Sequence, residues 1–95
     1  MRVIWSPEAA EDISALHAFI ARENPPAGQR IGLAIAKHIY EILAPHPEIG
    51  RVGRVPGTRE LVVLRTPFIV AYRVDGDRLL VLRVYHGRRR WPDSS

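Results

Sequence analysis

Cysteine is absent from the 95 residues, which excludes disulfides, thiolate nucleophiles and zinc sites built on sulfur. Lysine occurs once, at Lys37, so the cationic chemistry falls to thirteen arginines. Their planar forks suit bidentate contact with phosphate or carboxylate better than lysine does. No apolar run approaches the roughly 20 residues that a membrane span needs. Met1–Pro7 lacks the apolar core of a signal peptide. The expected compartment is therefore the cytoplasm, without a membrane partner. The chain has neither a Gly-x-x-x-x-Gly-Lys-Ser/Thr loop nor a Gly-x-Gly-x-x-Gly turn to cradle phosphates. His17, His38, His46 and His86 are scattered in place, and no serine has a base at a suggestive spacing. Neither a metal nor a cofactor is expected. The length suits one domain over residues 1–95, with 88–95 expected as a flexible C-terminal arm.

What is present is a divided charge. The net charge is +4, but residues 1–50 hold four cations against six carboxylates, and residues 51–95 hold ten arginines against four. The halves are therefore −2 and +6. The basic half is a candidate surface for a polyanion or an acidic partner; the alternative is a solvated face that serves solubility.

Val3-Ile4-Trp5 reads as a first strand. Ser6-Pro7-Glu8 gives a helix start, with a serine cap, proline at the first position and an acid in the first turn. Ala9, Ile13, Leu16 and Ile20 continue at helical spacing until Asn24-Pro25-Pro26, which reads as a stop. A second helix is expected from about Ala27 to Ala44, burying Ile31, Ile35, Ile39, Ile42 and Leu43, and ended by Pro45-His46-Pro47. A loop punctuated by Gly50, Gly53, Pro56 and Gly57 follows. Three β-rich runs then cover Arg59 to Arg65, Phe68 to Val74 and Arg78 to His86. The expected class is α+β, in the order β-α-α-β-β-β, with the helical hairpin on one face of a mainly antiparallel sheet.

Asp75-Gly76 marks a hairpin turn. A three-residue loop, Asp75-Gly76-Asp77, would set Phe68, Val70 and Tyr72 beside Leu80, Leu82 and Val84. It would gather Arg73, Arg83 and Tyr85 on an uncovered face; a two-residue loop would mix arginine into the apolar face. The first register separates charge from core. Beyond it, Arg88-Arg89-Arg90-Trp91 offers either a basic contact arm or an inert charged end.

The strand order, Ser6-Pro7-x-Ala9-x-x-Asp12-Ile13, Arg59-Glu60-Leu61, Ala71-Tyr72-Arg73-Val74 and the ending Leu82-Arg83-Val84-Tyr85-His86-Gly87-Arg88-Arg89-Arg90-Trp91 resemble the RelE/ParE superfamily of toxins from type II toxin–antitoxin modules. The resemblance implies a bacterial growth inhibitor neutralised by a cognate antitoxin, with operator DNA met only through that antitoxin. It implies one of two targets: the ribosome and its mRNA, for metal-free endoribonucleases similar to RelE, or DNA gyrase, for ParE-like members. In the nuclease reading His86 is the base, and Arg73, Arg83 and Arg88 supply charge. Yet the strand position at which the nucleases place an arginine holds Ile69, and little chain follows Pro92 for their C-terminal helix. The ParE-like reading is therefore preferred, with no catalytic residue. Its target-binding surface is expected to use Arg59, Arg65, Arg73, Arg83, Tyr85, Arg88, Arg89, Arg90 and Trp91.

Overall fold

Ser6 does two jobs at the start of the fold. In the computed structural model, which describes residues 1–88, its Oγ accepts the Ala9 N–H at 3.0 Å and donates to the Leu82 carbonyl at 2.8 Å. The first contact caps helix α1, Pro7–Ala21, and the second fastens it to the last strand. Strand β1, Arg2–Trp5, precedes the cap. Asn24 then caps a second helix, α2, Pro25–Lys37, through the Ala27 N–H at 3.1 Å. The stop expected at Asn24-Pro25-Pro26 is thus also the start, because prolines in the first turn forfeit only N–H groups that have no helical partner.

The second helix departs from expectation at its end. From His38 to Leu43 it widens into a π-helical turn, with the Ala44 N–H on the Ile39 carbonyl at 2.8 Å. The wider turn keeps Ile35, Ile39 and Leu43 in line and fully buried, while Ile42, expected inside, is turned outward. Tyr40 is also exposed, and its hydroxyl accepts the Trp5 indole N–H at 2.9 Å.

The chain then enters the sheet by a strand that alternation could not reveal. β2, Arg51–Val52, lies in the expected loop and pairs antiparallel with β3, Arg59–Val62. β3 stops short of Arg65, because Arg65 takes a positive φ of 64° and Thr66 closes the turn onto the Val63 carbonyl. β4, Phe68–Asp75, and β5, Arg78–His86, complete a five-stranded sheet of order β1-β5-β4-β3-β2. Only β1 runs parallel to its neighbour, β5, and the helices supply the crossover that parallel pairing demands. The α+β class and the helical hairpin on a mainly antiparallel sheet are as expected.

The preferred hairpin register is corrected. Asp75 pairs with Arg78, so the loop is two residues, and Val74 and Tyr72 face Leu79 and Val81. A β-bulge then shifts the pairing between Ala71 and Tyr72, and Val70 meets Val84. Arginine does not enter the core, because the extra residue on β5 resets the alternation midway. Val70, Tyr72, Leu79, Val81 and Val84 all face the helices and pack on Ala9, Ile35, Ile39 and Leu43. Ile69, Ala71 and Tyr85 form a smaller cluster on the opposite face.

Candidate functional site

The sheet face away from the helices holds a buried carboxylate. Glu60 alternates with Leu61 of the main core and pairs across the ladder with Ala71 of the opposite cluster. Its side chain is 1% exposed, and those of Arg51 and Arg54 beside it are 59% and 45% exposed. Glu60 Oε1 accepts Arg51 Nη2 at 3.1 Å and lies 3.8 Å from Arg54 Nε, and Oε2 accepts the Arg54 backbone N–H at 3.0 Å. Burial alone would raise the carboxyl pKa. The Arg54 N–H, the Arg51 hydrogen bond and the two guanidinium charges outweigh it and hold the group below the ordinary carboxylate range. The Tyr85 hydroxyl faces the same carboxylate, and burial first, then the Glu60 charge, push it above the ordinary phenol value.

The lowered Glu60 pKa has a signed consequence. Its contribution to stability is complete above the unfolded carboxylate pKa and is lost as pH falls through the folded one. Glu60→Gln should therefore cost about 1–2 kcal/mol at neutral pH, the scale of charge-assisted bonds to half-exposed partners. The gap between the variants should close in acid. Tm measured from pH 7 down to pH 3 checks this, and parallel curves would refute it.

A second fastening ties α1 to β5. Asp12 accepts Arg83 Nε at 2.7 Å, Arg83 Nη2 at 3.0 Å and the Val84 backbone N–H at 3.0 Å. β1 pairs with β5 only as far as Val81, so Asp12 takes up the edge of β5 beyond it. Past this point α1, β4 and β5 flank an apolar groove of about 670 Å³. Leu16, Phe19, Ile20, Phe68, Val84 and His86 line it, and Phe19 is 72% exposed.

The expected site residues do not form one patch. Arg59 donates to the Glu48 and Gly50 carbonyls at 3.1 and 2.7 Å and braces that loop. Arg65 is in the β3–β4 turn, and Arg73 is exposed on β4. Arg83 is held by Asp12, so it does not stand beside Arg73 on an uncovered face, and Tyr85 is 3% exposed. His86 meets Phe68 edge-on, with centroids 5.7 Å apart, and its Nδ1 accepts the Arg88 backbone N–H at 3.1 Å. Arg89, Arg90, Trp91 and nearly all of the expected arm lie outside the described residues. Sequence reading missed Arg51, Arg54 and Glu60 as a unit, Asp12 as an acceptor, and Phe19. Among the described residues no cluster of three or more His, Asp or Glu could hold a metal. No helix among them is long and apolar enough to cross a membrane.

Residues 3–91 match the family described as the ParE toxin of the type II toxin–antitoxin system parDE. The chain is 34% identical over 91 residues to Y4kP, a candidate toxin of Sinorhizobium fredii, covering 96% of this chain and 93% of that protein. It is 33% identical over 88 residues to the toxin RelE2 of Caulobacter vibrioides, covering 93% and 97%. Among solved structures it is similar to the chromosomal ParDE toxin–antitoxin system from P. aeruginosa, with a TM-score of 0.81 and 27% identity over 90% of this chain and 95% of that one. The toxin–antitoxin complex RelBE2 from Mycobacterium tuberculosis shares the fold, with a TM-score of 0.64, 24% identity and the same coverage.

Proposed function

This chain belongs to the ParE toxin family of type II toxin–antitoxin systems, and from that premise we propose that it inhibits growth by binding DNA gyrase and is neutralised by a cognate antitoxin. The observation that supports binding over turnover is the separation of His86 from Arg73. Metal-free RNA cleavage needs a base, an acid and cations around one phosphate. His86 lines the groove on the helix side, whereas Arg73 follows Ala71 in alternation on the other face. Their ladder positions, opposite Phe68 and at Arg73, are five residues apart, about 17 Å along a strand. Arg83 is engaged by Asp12, and Ile69 is a buried aliphatic that can stabilise no phosphorane.

Purified toxin should block supercoiling by purified gyrase, and His86→Ala should block it equally. Full supercoiling at saturating toxin would sink the gyrase reading. Codon-positioned cuts on translating ribosomes, reduced roughly 10²–10⁴-fold in His86→Ala as for loss of a general base, would instead assign the endoribonuclease chemistry.

The groove beside β5 supports the antitoxin part of this reading. Its lining is apolar and ends at an exposed aromatic, the combination that seats the apolar face of a wrapping segment. Phe19→Ser should leave folding intact, since the ring is exposed. It should weaken binding of the cognate antitoxin by about 2 kcal/mol, roughly 30-fold. Calorimetric titration with the antitoxin checks this, and unchanged affinity would remove Phe19 from the interface.

A further inference from the structure

The Arg51–Glu60–Arg54 cluster is more than a strut. The heads of both guanidiniums remain about half exposed while Glu60 is sealed beneath them. Each guanidinium carries five N–H donors in a fixed fork. Glu60 engages one nitrogen of each, Arg51 Nη2 directly and Arg54 Nε at the longer distance. The outward nitrogens of both forks are left presented from a fixed base. Arg54 is anchored by its backbone N–H on the same carboxylate, which sets the loop, and its guanidinium is drawn in by charge at 3.8 Å. The cluster sums to +1, and Arg73 adds a further exposed cation on the same face.

The geometry points to a carboxylate-binding notch, formed by Arg51 and Arg54 on the Glu60 base, that takes an acidic side chain of the protein on which the toxin acts. Glu60 is its positioning residue: it hydrogen-bonds the Arg51 fork and the Arg54 backbone and draws the Arg54 fork in by charge, which reduces the side-chain entropy to be lost on binding. A protein partner fits better than a nucleic acid. The aromatic of this face, Tyr85, is buried and gives bases no platform, whereas Val62, half-exposed and next but one along β3, offers an aliphatic neighbour. A target fits better than the antitoxin, because Glu60 and its arginines lie on the sheet face opposite the helix-side groove proposed for the antitoxin. The assignment of the partner as target rests on the toxin reading above; the notch itself does not.

The experiment has two arms. In the first, the full chain is titrated with a Glu-Val repeat peptide and, separately, with an oligothymidylate of equal charge, while arginine Nε signals are followed by NMR. The peptide should shift the Arg51 and Arg54 signals more than the oligonucleotide does; the reverse order overturns the choice of a protein partner. Arg51→Gln and Arg54→Gln should each weaken the peptide roughly 10- to 100-fold, and Arg→Lys at either site should rescue only part, because charge without the fork is insufficient. Glu60→Gln makes the site more positive, so simple charge attraction would tighten binding, whereas loss of positioning weakens it. Tighter binding by a folded Glu60→Gln, judged from its NMR dispersion, overturns the role of Glu60.

In the second arm the Arg51→Gln/Arg54→Gln variant is assayed for gyrase inhibition and antitoxin affinity. Inhibition lost at least tenfold with antitoxin affinity unchanged supports the notch as a target contact. Wild-type inhibition by that variant overturns it and leaves the gyrase reading standing. Absence of inhibition by the wild type overturns the gyrase reading and the target assignment together, and the peptide arm still decides whether the notch exists.

Discussion

Tyr72→Ala is expected to remove about 3–5 kcal/mol of folding stability, the range for deleting a buried aromatic. Tyr72 is fully buried among residues from both helical and sheet layers. Its hydroxyl donates to the Pro47 carbonyl at 2.6 Å and accepts the Gly50 N–H at 2.9 Å, so it ties the 47–50 loop to the centre of the sheet. Gly50→Ala should cost about 2–3 kcal/mol for the opposite reason. A methyl there would stand 2.7 Å from Tyr72 Cε1 and in contact with its hydroxyl, and a ring held at both ends cannot swing away. The two effects meet in one space. The double variant Gly50→Ala/Tyr72→Ala should therefore cost less than the sum, with a coupling of roughly 1–3 kcal/mol. Urea unfolding of the four proteins checks the cycle, and additive costs would show that Gly50 is not needed for the ring.

The same residues illustrate what alternation can and cannot show. The helix start at Ser6, the turn signal at Asp75-Gly76 and the span of β5 from Arg78 to His86 were legible because each depends on local chemistry or on a β-rich apolar run. The bulge at Leu82 was not. It answers to partners more than seventy residues away, with the Leu82 carbonyl taken by Ser6 and the Val84 N–H by Asp12. Glu60 was legible as sharing a strand face with Val62, and its burial was not, since that depends on two arginines from a Gly- and Pro-punctuated loop. β2 is two residues long and carries no period to read. Of the arginines expected to form one surface, Arg59 and Arg83 are spent on internal contacts. A count of charges along a chain says how many guanidiniums exist and not which of them face a partner.

The motif Ser6-Pro7-x-Ala9-x-x-Asp12 acquires a physical meaning from these contacts, and with it the second large effect. Ser6, Ala9 and Asp12 recur every third residue and so share one face of α1. Ser6 bonds the Leu82 carbonyl, Ala9 is fully buried and lets the helix approach, and Asp12 takes Arg83 and the Val84 N–H. Asp12→Ala should therefore cost about 2–4 kcal/mol, from three bonds at a nearly buried carboxylate and an edge N–H left without its acceptor. For a chain of this size that is a fall in Tm of roughly 10–20 °C. Asp12→Asn should cost less, because the amide oxygen can still accept from Arg83 Nε and the Val84 N–H while its NH2 meets only the Arg83 Nη2 donor. The discriminating measurement is local: the Val84 amide should exchange with solvent much faster in Asp12→Ala, by more than the global loss of stability explains, because its partner on the uncovered edge has gone. Exchange at Val84 that merely tracks global unfolding would mean that β5 holds this edge without α1. Since Asp12 also lines the groove, a loosened edge should lower antitoxin affinity along with stability, whereas Phe19→Ser lowers affinity alone.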